Sequence, residues 1–170
     1  MASSSTNKAP LLIDRPLLVV TGLRETTSPV TGVEPGTGST GVLLVDCTVN
    51  DGAMIDSIWL IQRVDDDATA VNLYLSTSAS SLGVTASGGS AGAQFLGRFG
   101  FGATQKVGAT VEMKLPRLLA PVPHAGSNID NEPPQFRGLY IQRGLALWAA
   151  AASPAAVPEA PNIGCQGGFY

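Results

Sequence analysis

Charge is scarce in this sequence: 14% of residues are Asp, Glu, Lys or Arg, and 10 basic residues face 13 acidic ones for a net charge of −3. Nucleic-acid binding relies on a basic field that attracts phosphates, so no nucleic-acid partner is expected. Aromatic residues are equally sparse at 6%. One histidine, His124, and two cysteines, Cys47 and Cys165, leave no cluster with the spacing of a transition-metal site. The cysteines form no CxxC and read as small hydrophobic side chains in a reducing compartment, with a Cys47–Cys165 bridge as the alternative. Long apolar runs are missing too. The start, MASSSTNKAP, has no apolar core, and Asp14-Arg15-Pro16 breaks the residues behind it. Neither a signal peptide nor a membrane span of about 18 residues can be drawn, which gives the expectation of a cytoplasmic product without a membrane partner.

Glycine and proline are what the chain has in excess, 20 and 12 among 170 residues, beside an ordinary 44% of apolar residues. Such a chain is rich in loops yet long enough to bury roughly 70% of its unfolded surface as one domain. Alternation of apolar and polar residues supplies the strands. Val42–Val49 has Leu43, Val45, Cys47 and Val49 on one parity. Ile55–Val64 is apolar on both parities around Trp59 and reads as a central strand covered on both faces, ended by Asp65-Asp66-Asp67. Thr69–Leu75 reads as its hairpin partner. Gln94–Phe101 puts Phe95, Phe99 and Phe101 on one face, and Thr110–Leu115 points Val111, Met113 and Leu115 inward with Glu112 and Lys114 outward. Leu139–Ile141 and Leu145–Ala149 flank a turn at Gln142-Arg143-Gly144. Asn162–Tyr170 forms a last strand after the proline-punctuated SPAAVPEAP. Ala149–Ala152 has the composition of a single helical turn.

No segment keeps a helical period, so about eight short strands predict an all-β fold, an antiparallel, jelly-roll-like β-sandwich. The expected organisation is an N-terminal arm over 1–20, a sandwich over 21–152 and a C-terminal segment over 153–170. Three connections, 24–41, 76–92 and 116–137, exceed the usual four to six residues by far. The third carries Leu118, Leu119, Val122, Ile129 and Phe136 among its prolines, which makes it a loop that packs on this domain or on a neighbour.

Motifs with chemical content fail on context. Gly36-Thr37-Gly38-Ser39-Thr40-Gly41 has dinucleotide-loop spacing, but a strand follows it where a helix is needed. Gly88-Gly89-Ser90-Ala91-Gly92 matches a nucleophile elbow without the helix after Ser90, and His124 sits in a proline-rich loop. Asp65–Asp67 and the set Asn128, Asp130 and Glu132 offer oxygen ligands for Ca²⁺ but lack the glycine and distal glutamate of an EF-hand, so they read as solvated turns. No cofactor, metal or enzymatic activity is expected. Seven of the ten basic residues are Arg, a residue favoured at protein interfaces for its planar, bidentate fork.

Five stretches carry a family likeness: Ile55-Asp56-Ser57-Ile58-Trp59-Leu60, Thr69 to Leu75, Phe95-Leu96-Gly97, Arg143 to Ala150, and Gly167-Gly168-Phe169-Tyr170. Over roughly 42–110 and 138–170 the chain resembles small virion structural proteins of tailed bacteriophages, cyanophages among them. The 116–137 loop and the N-terminal arm depart from that pattern. The resemblance implies a β-sandwich that attaches to heads or tails through loops and arms. The expected role is a capsid decoration (cement) protein of the virion, a homotrimer seated on the major capsid protein and assembled in the host cytoplasm. Contacts are expected from Leu11, Leu12, Arg15, Leu118, Leu119, Phe136, Arg137 and Tyr170, and deletion of residues 1–16 is expected to abolish head binding without unfolding the domain. The alternatives are a tail, baseplate or neck adaptor, and a receptor- or carbohydrate-binding module with its site in the long loops, assisted by Ca²⁺ at Asp65–Asp67.

Overall fold

A strand with one apolar row must lay that row on another, and two sheets packed face to face meet the demand for every strand at once. The computed structural model describes residues 15–23, 41–65, 69–82, 93–115, 138–152 and 161–170. They form nine strands: β1 (Arg15–Gly22), β2 (Val42–Asp46), β3 (Gly52–Ile61), β4 (Ala70–Ser76), β5 (Gln94–Gly100), β6 (Thr110–Glu112), β7 (Leu139–Gln142), β8 (Ala146–Ala151) and β9 (Asn162–Phe169). Sheet A runs β1-β9-β3-β6, with β7 also on β3, and sheet B runs β2-β8-β4-β5. All pairs are antiparallel, so the expected all-β sandwich is the fold. Among the described residues no helix is long and apolar enough to cross a membrane.

The core fills the space between the sheets. Ile55, Ile58, Leu60, Ile141, Ile163 and Cys165 of sheet A meet Leu44, Val45, Val71, Leu73, Leu147 and Ala149 of sheet B, all at 3% exposure or less. Cys47 and Cys165 are both buried and free, so the bridge does not form. Burial pushes the Cys47 thiol up to about 11, with Asp46 adding to it, and the Cys165 thiol up to about 12, with Asp56 adding to it. The turn after β7 is where the spacing placed it: Gly144 has φ +88°, a backbone only glycine adopts without strain, and its N–H donates to the Cys47 carbonyl at 2.8 Å. That turn carries the chain from sheet A to sheet B.

Several expectations need correction. Thr69–Leu75 is not the hairpin partner of the Trp59 strand: β4 belongs to the other sheet, and its buried Val71 and Leu73 share a core with β3. Ala149–Ala152 is not helical, because β8 is extended through Ala151 with β2 on one side and β4 on the other, and pairing on both sides overrides the helical preference of alanine. The arm over 1–20 gives up its last residues to a strand, while the last strand expected within the C-terminal segment over 153–170 forms as β9. Residues 15–22 are β1, a strand the sequence reading missed, and β9 lies inside sheet A between β1 and β3. Residues 42–49 end as a strand at Asp46, and Val49 is 73% exposed.

Candidate binding surface on sheet A

The outer face of sheet A is built from rungs that cross three or four strands. Val20 of β1, Gly164 of β9, Trp59 of β3 and Glu112 of β6 lie on one rung. Leu18, Gln166 and Ser57 lie on the next, and Pro16, Gly168, Met54 and Tyr140 on the one beyond. Glycine at 164 has a direct local consequence. A methyl group there would stand 2.5 Å from Nε1 of Trp59 and closer still to Cε2 and Cζ2, so it would strike the face of the indole. The indole therefore lies flat across β9 with one face on the Gly164 backbone and is half-buried.

Beside it runs a groove of about 350 Å³ lined by Ser57, Trp59, Thr110, Val111, Glu112 and Gln166. A second hollow of about 280 Å³ adjoins it, lined by Asp56, Glu112, Met113, Lys114 and Leu115. Both lie where β3 changes partner. β7 pairs with Gly52–Ile55, β6 pairs with Trp59–Ile61, and the Met113 N–H donates to the Ile58 carbonyl at 2.8 Å. Asp56 is the extra residue of a bulge against β9 in the gap between them. Leu115, before the 116–137 connection, lines the second hollow with Asp56, and Leu139, just after it, pairs with Ile55.

Toward the start of β3 a second group of side chains gathers. The Arg15 guanidinium sits 4.9 Å from the centre of the Phe169 ring and donates to Asn50 Oδ1 at 3.3 Å. Tyr170 donates its backbone N–H to the Gly52 carbonyl at 3.1 Å, and its ring lies 6.0 Å from that of Tyr140. Burial holds the Tyr170 hydroxyl above its ordinary value, with Tyr140 and Asp56 pushing the same way. Arg143 pairs with Asp51 at 3.7 Å nearby. Among the described strand residues the most exposed large apolar side chains are on this sheet, Leu18 (69%), Val20 (55%) and Tyr140 (50%), while Val49 and Val107 are exposed in loops.

Sheet B treats its outer face differently. Tyr74, Trp148, Ala146 and Ala150 form a second buried cluster closed by Leu82. The Trp148 indole N–H donates to the Ser78 carbonyl at 2.8 Å, and Phe95 packs edge-on against Tyr74 with centroids 5.8 Å apart. Asn72, fully buried, donates to the Tyr74 hydroxyl at 3.0 Å and accepts from Arg98 Nε at 2.7 Å. That network holds β4 to β5.

Of the eight contact residues expected from the sequence, Arg15 and Tyr170 are brought to the same end of sheet A, joined through Phe169. Leu11, Leu12, Leu118, Leu119, Phe136 and Arg137 lie outside the described residues. So do Asp66, Asp67, Ser90, His124 and the Asn128–Glu132 set. Asp65 accepts from the Val107 N–H at 2.8 Å and pairs with Lys106 at 3.9 Å, which ties the end of the segment after β3 to the turn before β6. Among the described residues no three His, Cys, Asp or Glu side chains gather as a metal-ligand group. The sequence reading did not single out Trp59, Gln166, Glu112, Leu18 or Val20. The available signal was in β9, where Gly164, Gln166 and Gly168 alternate on one parity and leave room for a large neighbour. No family model, curated protein or solved structure matches the chain.

Proposed function

We propose that this chain is a structural protein of a tailed-phage virion, a capsid decoration (cement) subunit that seats as a homotrimer on the major capsid protein. The observation that carries the reading is the free edge of β1. Among the described residues β1 pairs with β9 alone, which leaves a row of backbone N–H and C=O groups open beside exposed Leu18 and Val20. An open apolar edge is a template for another chain. Burying each of these side chains against a partner is worth about 1.5–3 kcal/mol, and a trimer repeats the contact three times on one lattice, so modest contacts add up to a firm seat.

The winding of the chain supports the same class. We read the strand orders β1-β9-β3-β6 and β2-β8-β4-β5, with β6 and β7 sharing one position beside β3, as a jelly-roll winding. That architecture is found in viral capsid and lectin domains. Because Arg15 and Pro16 belong to β1, the arm deletion that leaves the sandwich whole removes residues 1–14. It should abolish head binding without unfolding the domain.

Immunogold electron microscopy of the source particles tests the reading. Gold over the head supports it, gold on the tail gives the adaptor reading instead, and particles without gold overturn both. A Leu18→Glu, Val20→Glu double variant, made at two exposed positions, should keep its melting temperature and lose at least about tenfold in affinity for heads. Undiminished binding would remove the β1 edge from the interface.

A further inference from the structure

We propose that the groove beside Trp59 binds a neutral saccharide, one sugar ring lying on the indole and its hydroxyls bonded by the side chains around it. The site is on the sheet face and not in the loops, and it holds wherever the protein is assembled.

The indole is a fixed platform. Gly164 lets it lie flat with one face on the sheet, which leaves the opposite, negative π face turned outward beside the groove that Trp59 helps to line. The apolar face of a pyranose carries C–H bonds whose hydrogens complement that face. Around the platform stand groups suited to hydroxyls: the Gln166 amide, which donates and accepts, the Glu112 carboxylate, which accepts, and the hydroxyls of Ser57 and Thr110. Glu112 is on β6 and Gln166 on β9, to either side of Trp59 on β3. Two inter-strand spacings across and one two-residue step along the strands separate their backbones, about 12 Å, a span that one ring with its hydroxyls fills once both side chains reach inward.

Charge selects the ligand class. None of the described residues lining this groove is basic, Glu112 repels anions, and Lys114 of the adjoining hollow is balanced there by Asp56 and Glu112, so a neutral polyol is favoured over phosphate, sulfated sugars and nucleotides. The lining also differs from that of a peptide groove, because only Trp59 and Val111 of its six residues are apolar. The outer face of sheet B also carries a tryptophan, but Trp148 is 6% exposed and closed over by Leu82. Of the two tryptophans, Trp59 is the one with a face to offer.

Titration of the full chain with neutral hexasaccharides (cello-, laminari-, xylo-, manno- and chitohexaose), read by the indole N–H resonance of Trp59 in NMR, tests the proposal. At least one should produce a saturable shift below about 5 mM. Gln166→Ala, at an exposed position that does not touch the core, and Glu112→Ala should each weaken that binding by about three- to tenfold, the loss of one hydrogen bond. Trp59→Ala, checked for an unchanged fold by its amide spectrum and read, as it has no indole at 59, by the backbone amide resonances of Ser57 and Gln166, should abolish it. No shift with any of the five sugars overturns the proposal, as does a shift that survives Gln166→Ala, Glu112→Ala and Trp59→Ala. Tighter binding of a sulfated hexasaccharide overturns the choice of a neutral ligand, and a resonance that moves with protein concentration alone assigns the groove to a second copy of the chain.

Discussion

Placing a methyl group under Trp59 probes the platform directly. Gly164→Ala puts a carbon 2.5 Å from Nε1 and closer to two further indole atoms, whereas carbon contacts settle at about 3.5–4.0 Å, so the ring must rise by roughly 1–1.5 Å. Overpacking of this kind costs about 1–3 kcal/mol, and the indole, on an outer face with room to lift, falls in the lower part of that range. At about 1–2 kcal/mol the melting temperature should fall by roughly 2–8 °C for a chain of this size. Position 164 is regular extended strand, where alanine is otherwise better than glycine by about 0.5–1 kcal/mol.

The sign should therefore reverse once the indole is gone. Gly164→Ala destabilises the natural chain but stabilises the Trp59→Ala chain, a coupling of about 1.5–3 kcal/mol in a double-mutant cycle read by urea unfolding. Trp59 emission should also move to longer wavelength in Gly164→Ala as the ring leaves the sheet. If Gly164→Ala cost the same in both backgrounds, the indole would not lie on Gly164, and the platform argument would fail with it.

Gly167→Ala should be far more damaging than Gly164→Ala, by about 3–5 kcal/mol, because its methyl would meet the Met54 carbonyl and the Ile55 Cα (2.9 Å), backbone atoms that cannot rotate aside; urea unfolding checks this, and a loss below about 1 kcal/mol would refute it. The two thiols should resist a disulfide reagent at pH 8 in the folded protein and both react once it is unfolded, since thiols held near 11 and 12 are almost wholly protonated there. Alkali should weaken the fold through the same groups. The folded state holds each thiol proton above the usual 9.0, so this stability is intact below pH 9 and is lost as pH rises toward about 11 for Cys47 and about 12 for Cys165. The slope is about 1.4 kcal/mol per pH unit per thiol, and a Cys47→Ala, Cys165→Ala chain should lose that contribution.

The strand inventory was legible because eight segments advertise themselves by alternation, and the parity within them was legible only where no bulge intervenes. β6 shows the success: Val111 and Met113 pack on the core, Leu115 is buried, and Glu112 and Lys114 are exposed, as alternation required. Three strands each carry one extra residue, and every side chain beyond it changes face. In β2 the extra residue is Leu44, so Leu43 joins the outer cluster while Val45 and Cys47 stay in the core. In β5 it is Leu96, which turns Phe95 outward to Tyr74 and leaves Phe99 and Phe101 inside. In β3 it is Asp56, which lets a strand apolar on both parities send Ile55, Ile58 and Leu60 all inward and Trp59 out. A bulge costs one residue and no special composition, so alternation alone does not announce it.

The Asp56 bulge also explains why the candidate surface escaped a reading of β3 as covered on both faces. A strand that is apolar on each parity looks buried on each side, yet here the second parity holds a single large residue whose inner face is satisfied by the Gly164 backbone two strands from the edge. The covering element is a missing side chain on β9, and a missing side chain leaves no apolar signal to count. The same bulge marks where β3 passes from β7 to β6, so the groove and the exposed Leu18 and Val20 of β1 lie on one sheet. Sheet B spends its outer aromatics on its own chain, through Trp148 to Ser78 and Phe95 to Tyr74. Sheet A leaves its outer aromatics turned away from the core, and any partner or ligand of this protein should be sought there first.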